Sequence, residues 1–308
     1  TEIAKGVKTY YTLSPKGKYV VWFNRRDQSW YSYDVKAKKT VVFENPKGIA
    51  FGDEENDVPD DAAGYGLATW TKDDQQVLLY DRYDIWAFDP KDGKGVCLTA
   101  GAGRRDNITF RYYEADKDEK SVDAKASILL TVFNDLTKEG GFASLNLASK
   151  KAPKILTMGP YSYLGIYKAK EQDVYIYEKG NFEVSPDLYI SRNFKTEKKL
   201  SHINPQQKDY IWGKAELVKW TTPEGHSSEG VLYKPENFDP KLKYPMIVYF
   251  YEKLSENLYR YKAPAPTPSK LDITYFVSNG YLVFTPDISY TIGHPGKSAE
   301  EYNNSGVE

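Results

Sequence analysis

The chain has 308 residues, which at about 150 residues per domain predicts two domains or one large one. Its 42 Lys and Arg balance 43 Asp and Glu to a net charge of −1, which argues against a nucleic-acid-coating role, because polyanion binding leaves a basic footprint. With 40% hydrophobic residues, 27 Tyr, 13 Phe and 6 Trp, the chain can bury a sizeable core, and its 22 Gly and 17 Pro favour strands joined by turns.

The first two thirds repeat one pattern: a Ser/Thr-x-x-Gly/Asp turn, an aromatic strand, a second strand closing on an acidic turn, then a third. The first instance runs Ser14-Pro15-Lys16-Gly17, Tyr19 to Phe23, Trp30 to Val35, Thr40 to Phe43. The second runs Trp70-Thr71-Lys72-Asp73-Asp74, Val77 to Tyr80, Asp84 to Asp89, Gly95 to Thr99. A third covers Ile128 to Phe133, Ala143 to Leu147 and Lys154 to Leu156; a fourth covers Tyr163 to Ile166, Val174 to Tyr177, Asp187 to Ile190 and Lys198 to Ser201. Short strands recurring every roughly 40–60 residues are the signature of propeller blades, which must stack because one blade cannot bury both its faces. About four blades are visible, fewer than many propellers hold; a two-sheet sandwich is the competing architecture.

The pattern changes after the polar break Asn204-Pro205-Gln206-Gln207. Glu216 to Trp220 and Ser228 to Tyr233 flank Thr222-Pro223-Glu224-Gly225-His226 as a hairpin. Met246 to Tyr251 is a nearly continuous apolar run, as a strand buried on both faces reads. A short helix over Ile273 to Ser278 with a Gly280 stop, a strand over Tyr281 to Asp287 and a helix around Ala299 to Tyr302 follow. Strand, helix, strand opens an α/β sheet. The predicted fold is therefore mainly β: a partial β-propeller over 1–207, then the N-terminal part of an α/β-hydrolase domain over 208–308. Neither domain reads as whole, and both chain ends read as cut.

The chemistry is sparse. Cys97 stands alone, so no intramolecular disulfide forms, and Val96-Cys97-Leu98 reads as a small buried hydrophobe. No apolar run reaches the roughly 18 residues of a membrane helix, and Thr1 to Gly6 shows neither an initiator Met nor a signal-peptide pattern; the compartment stays open between cytoplasm and periplasm or exterior. Gly-x-Ser-x-Gly is absent: Gly225-His226-Ser227-Ser228-Glu229-Gly230 has the wrong spacing on a hairpin tip, and Gly296-Lys297-Ser298-Ala299 also fails. The three histidines, His202, His226 and His294, show no metal-ligand spacing, so neither metal nor cofactor is expected. The acidic run Asp53 to Asp61 lacks the order of a calcium loop and reads as solvated.

Lys234-Pro235-Glu236-Asn237-Phe238-Asp239 followed by Tyr244-Pro245-Met246-Ile247-Val248-Tyr249-Phe250-Tyr251 resembles the start of the hydrolase domain of prolyl oligopeptidase family serine peptidases, in the dipeptidyl peptidase IV/acylaminoacyl-peptidase branch. Leu232 to Pro235 matches that domain's first strand, Tyr281 to Asp287 a later one, and Trp70 to Asp74 with Asp84-Ile85-Trp86 the preceding blades. The resemblance implies a parent that cleaves peptides by acyl transfer, with a propeller restricting access. It implies for Tyr251 a hydroxyl that helps form the oxyanion hole; a Tyr packed at a strand end is the alternative. Glu252-Lys253-Leu254-Ser255 departs from the small residues of many relatives. The family's serine, aspartate and histidine lie downstream of these strands, so this chain alone is expected to be inactive. Two propeller glutamates anchor the substrate amine in the dipeptidyl branch; Glu54 and Glu55 are adjacent candidates for substrate binding, without that branch's aromatic-flanked motif. The implied partner is a peptide, with no nucleic acid and no membrane span, and a homodimer is compatible. The alternatives are a non-catalytic propeller scaffold and a pseudo-hydrolase that binds peptides.

Overall fold

A computed structural model of the chain describes residues 3–307 except 6, 8–10, 117 and 268, so Thr1, Glu2, Gly6 and Glu308 of the terminal sequences lie outside the described residues. Strands β1 (Tyr11–Leu13), β2 (Tyr19–Asn24), β3 (Ser29–Asp34) and β4 (Lys39–Val42) form an antiparallel meander. A second is built from β5 (Leu67–Thr71), β6 (Val77–Tyr80), β7 (Ile85–Phe88) and β8 (Gly95–Cys97). After the one-turn helix α1 (Ala102–Asp106) come β9 (Ile108–Tyr112) and β10 (Ser121–Val122), the latter pairing parallel with β5. Strands β11 (Ser127–Asn134), β12 (Gly140–Asn146) and β13 (Lys154–Gly159) complete a third sheet in the order β9-β11-β12-β13. The fourth is the meander β14 (Ser162–Lys168), β15 (Tyr175–Gly180), β16 (Asp187–Ser191) and β17 (Glu197–Lys199). The four expected repeats are thus four blade-like sheets. Strands β1, β9 and β10 were not expected: β1 is exposed along its length and β10 has two residues, so neither carries an apolar pattern. Trp70 and Thr71, expected in a turn, finish β5, and the turn itself is Lys72–Asp74.

Two compact units divide the chain: Thr1–Asn56, Asp60–Leu136 and Gly141–Met158 in one, Asp57–Pro59, Thr137–Gly140 and Gly159–Glu308 in the other. In the first unit, the period-two side-chain alternation of β6 decides the packing. Val77 and Leu79 join Tyr19, Val21, Phe23, Trp30 and Phe43 in one core, while Leu78 and Tyr80 join Phe110, Ile128, Leu130 and Val132 in another. The second sheet is therefore covered on both faces. Ring stacking reinforces the first core, Tyr19 on Trp70 at 6.3 Å and Phe43 on Phe88 at 5.0 Å. A polar tie joins the same two sheets: Asp74, at φ +56°, accepts from the Ser14 hydroxyl at 2.5 Å and from the Lys16 amide at 3.0 Å. The turn motifs at Ser14 and at Asp74 are the two halves of one contact.

The second unit holds the fourth sheet and a mixed sheet of β18 (Gly213–Thr221), β19 (Ser227–Pro235), β20 (Met246–Val248) and β21 (Leu282–Pro286), in the order β18-β19-β21-β20. Only β20 and β21 are parallel, joined through α2 (Ile273–Ser278), and α3 (Pro295–Val307) follows. Asp272 caps α2 by accepting from the Tyr275 amide at 3.1 Å, and Gly280 at φ +84° releases the chain into β21, a backbone region that disfavours a Cβ. Phe182, from the turn between β15 and β16, lies against Tyr233 at 4.9 Å, and its carbonyl accepts from Trp212 Nε1 at 2.7 Å. It shares a core with Val231, Val277 and Val283, which is why the fourth sheet groups with the mixed sheet.

Leu78 and Leu79 are fully buried on opposite faces of β6. Leu78→Ala and Leu79→Ala should each destabilise the chain by about 2–5 kcal/mol in denaturant unfolding, whereas Leu164→Ala, at an exposed position of β14, should change it by about 0.5 kcal/mol or less.

Candidate active site

The apolar run from Met246 pairs Ile247 with Val283 and Val248 with Phe284, and the Tyr249 amide adds one more bond to the Phe284 carbonyl at 2.9 Å. The strand is shorter than expected, because Glu252 at φ +50° turns the chain, and its carbonyl accepts from the Ile288 amide at 3.1 Å. Phe250 and Tyr251 leave the sheet here. Tyr251 is 70% exposed, so its side chain is not packed at a strand end. Parallel strands bring their carboxyl ends to one side, the side on which open α/β sheets bind ligands.

At the carboxyl end of β21 stands Asp287, 9% exposed. Its Oδ1 accepts from the Leu254 amide at 2.6 Å and the Ser255 amide at 2.8 Å, and its Oδ2 accepts from the Ser255 hydroxyl at 2.5 Å. One carboxylate thus fixes the segment that follows Tyr251. Burial pushes the Asp287 carboxyl up from the ordinary range, more strongly than the three bonds lower it, and nearby Glu229 adds to the rise. The Ser255 hydroxyl also lies 3.2 Å from Glu229 Oε1, which pairs with Lys138 Nζ at 2.5 Å. The buried charges are paired and hydrogen-bonded, as burial in low dielectric requires. Tyr290 joins this side of the unit: its amide donates to Asp57 Oδ2 at 2.9 Å, and its phenol is pushed up by burial, then by Glu252, Asp57 and Tyr251. Sequence reasoning singled out Tyr251 but neither Asp287 nor Ser255; the available signal was an acid directly after a buried apolar run.

Glu54 and Glu55 belong to the other compact unit. Glu54 takes a two-pronged bond from Arg104, at 2.9 and 3.2 Å, and Glu55 pairs with Arg82 at 2.6 Å. Both guanidiniums lie over the Tyr83 ring, at 5.0 Å for Arg82 and 5.3 Å for Arg104. Asp60 meets Arg25 at 3.3 Å. Glu54, Glu55 and residues 58–61 are exposed, as the solvated reading expects, and arginines distant in sequence give Glu54, Glu55 and Asp60 charge-assisted bonds. Cys97 is half-buried rather than buried, and burial pushes its thiol up. His202 lines a cavity of about 520 Å³ with Asp187, Asn204, Gln207 and Trp212, and no residue of 249–255 lines it.

No family model and no curated protein matches the chain. Solved structures do. A candidate dipeptidyl aminopeptidase IV from Bacteroides ovatus matches with a TM-score of 0.61 at 16% identity, covering 97% of this chain and 45% of that one. Porphyromonas gingivalis dipeptidyl peptidase 4 matches at 0.57 and 16%, covering 90% and 37%. A post-proline cleaving enzyme from Rickettsia typhi matches at 0.55 and 14%, covering 96% and 43%. The chain spans less than half the length of each. Over that share its fold is theirs, the fold that the prolyl oligopeptidase resemblance implies.

Because the Asp287 pKa is raised in the folded state, its contribution to stability is present below the unfolded carboxyl's value of about 4 and is lost as pH rises through the native value. The stability difference between the chain and Asp287→Asn, followed by urea unfolding from about pH 3 to about pH 8, should therefore shift in favour of the variant as pH rises.

Proposed function

We propose that this chain supplies the access-restricting blades and the opening strands of the hydrolase domain of a serine-type peptidase of the prolyl oligopeptidase family. The blade region is 1–207 and the hydrolase region 208–308. The observation that carries the reading is the sheet order β18-β19-β21-β20, with its single parallel pair and Tyr251 at the open carboxyl end. The likeness to three peptidase structures over at least 90% of the chain supports it.

In this reading the substrate is a peptide, and Tyr251 donates its hydroxyl to the oxyanion that develops during acyl transfer. Its exposure leaves the hydroxyl free to face a substrate carbonyl, and the Asp287 bonds to Leu254 and Ser255 hold the adjoining backbone still. A donor fixed before the reaction stabilises developing charge without reorganisation. The nucleophile, its base and the base's orienting acid come from chain beyond the matched strands, since no Gly-x-Ser-x-Gly occurs within these 308 residues. The chain alone is then inactive.

A fluorophosphonate probe and a proline-containing chromogenic peptide test this directly. The 308-residue chain should neither be labelled nor turn over the peptide, whereas a longer protein in which it is followed by a Gly-x-Ser-x-Gly segment should do both. In that longer protein Tyr251→Phe should lower kcat by about 10²–10³-fold with little change in KM. A longer protein that resists the probe would favour the peptide-binding pseudo-hydrolase instead.

A further inference from the structure

We infer that the tip of the β18–β19 hairpin and the middle of α3 together form a binding site for a divalent transition-metal ion of the zinc class, held by Glu224, His226 and Glu301. One ligand atom from each of the three residues lies within 4.8 Å of the other two. This donor set is mixed, one imidazole nitrogen and two carboxylate oxygens, drawn from two elements that pack on each other.

His226 and Glu301 are fixed by their local structure. The hairpin closes with the Thr222 amide on the His226 carbonyl at 2.8 Å and the His226 amide on Thr222 Oγ1 at 3.1 Å. Gly225, at φ +89°, makes the tight turn that sets Glu224 and His226 on either side of it. The imidazole lies parallel to the buried Tyr302 ring at 6.2 Å, with its Nδ1 3.1 Å from Glu301 Oε1. Glu301 keeps only 11% of its side chain exposed. A second contact fixes hairpin to helix: Trp220 Nε1 donates to Ser305 Oγ at 3.0 Å. His226 and Glu301 are therefore pre-placed without the ion, while Glu224 is held by its pair with Lys297.

A positive charge already sits at these carboxylates. Lys297, one turn before Glu301 on α3, places its Nζ 2.7 Å from Glu224. Lys297 is 67% exposed and on a flexible stem, so an incoming ion can displace it. Nitrogen with two carboxylates suits zinc, cobalt or nickel, whereas calcium and magnesium prefer all-oxygen shells with more ligands or retained water. Bound metal would clamp the hairpin to the helix. The site is independent of Tyr251 and of the peptidase reading.

The test is titration calorimetry of zinc chloride into the full chain, with magnesium chloride as the comparison and cobalt chloride read by visible absorption. One zinc per folded chain is expected, and magnesium should not compete. His226→Ala and Glu301→Gln, each checked for native circular dichroism, should weaken zinc by about tenfold or more. Lys297→Met, which removes the competing ammonium without touching a ligand, should tighten it. His226 is 51% exposed, so its removal leaves the core intact. Equal zinc affinity in the native chain and in His226→Ala, or no zinc binding to the folded chain, would overturn the site.

Discussion

Strand β6 has side chains buried on both of its faces, Val77 and Leu79 toward one core and Leu78 and Tyr80 toward the other. A four-residue strand with no solvent-facing side is stable only when a sheet lies on each face, so the second sheet dictates the presence of the first and the third. Apolar burial on this scale, not hydrogen bonding within a meander, drives the stacking, since an isolated meander leaves its apolar groups in water. The outermost strands show the converse: β1 and β4 are mostly exposed, and β13 begins exposed.

Buried carboxylates then fix what the apolar stacking leaves loose. Asp74 ties two sheets through Ser14 and Lys16; Asp84 accepts from Thr99, Gly103 and Arg104 and so seats α1; Asp287 gathers Leu254 and Ser255. Each acid turns backbone amides of an irregular segment into satisfied donors, which a loop over a core otherwise lacks. Asp187 shows how partners decide the ionisation: against the upward push of burial, Lys199, the Ile203 amide and Ser201 hold it below the usual range. Asp287 has no paired lysine among the described residues, and burial prevails.

Much of the fold was legible because it rests on local periodicity. Trp30 to Val35, Val77 to Tyr80 and Ile128 to Phe133 read as strands and are strands, the first ending at Asp34, and the Gly280 stop and the hairpin at Thr222 to His226 stand where expected. The end of β20 was not legible, because Phe250 and Tyr251 continue the apolar run while the turn at Glu252 is met by the Ile288 amide from the segment after β21. The same distance hid the partners of the acidic run, for Arg104 lies 50 residues from Glu54. It hid the imidazole–carboxylate pair too, since His226 and Glu301 are 75 residues apart and no ligand spacing links them.

The sequence by itself determined a near-neutral, Tyr-rich chain with strands of period two, blade-like repeats and one strand–helix–strand passage, because side-chain alternation and turn residues act over neighbours a few positions away. Which carboxylates are neutralised, where the chain leaves β20, and which of the three histidines meets a carboxylate were decided only by tertiary structure. These depend on backbone amides, guanidiniums and carboxylates brought together from remote positions, and a pairwise Coulomb or hydrogen-bond contact has no imprint on sequence spacing.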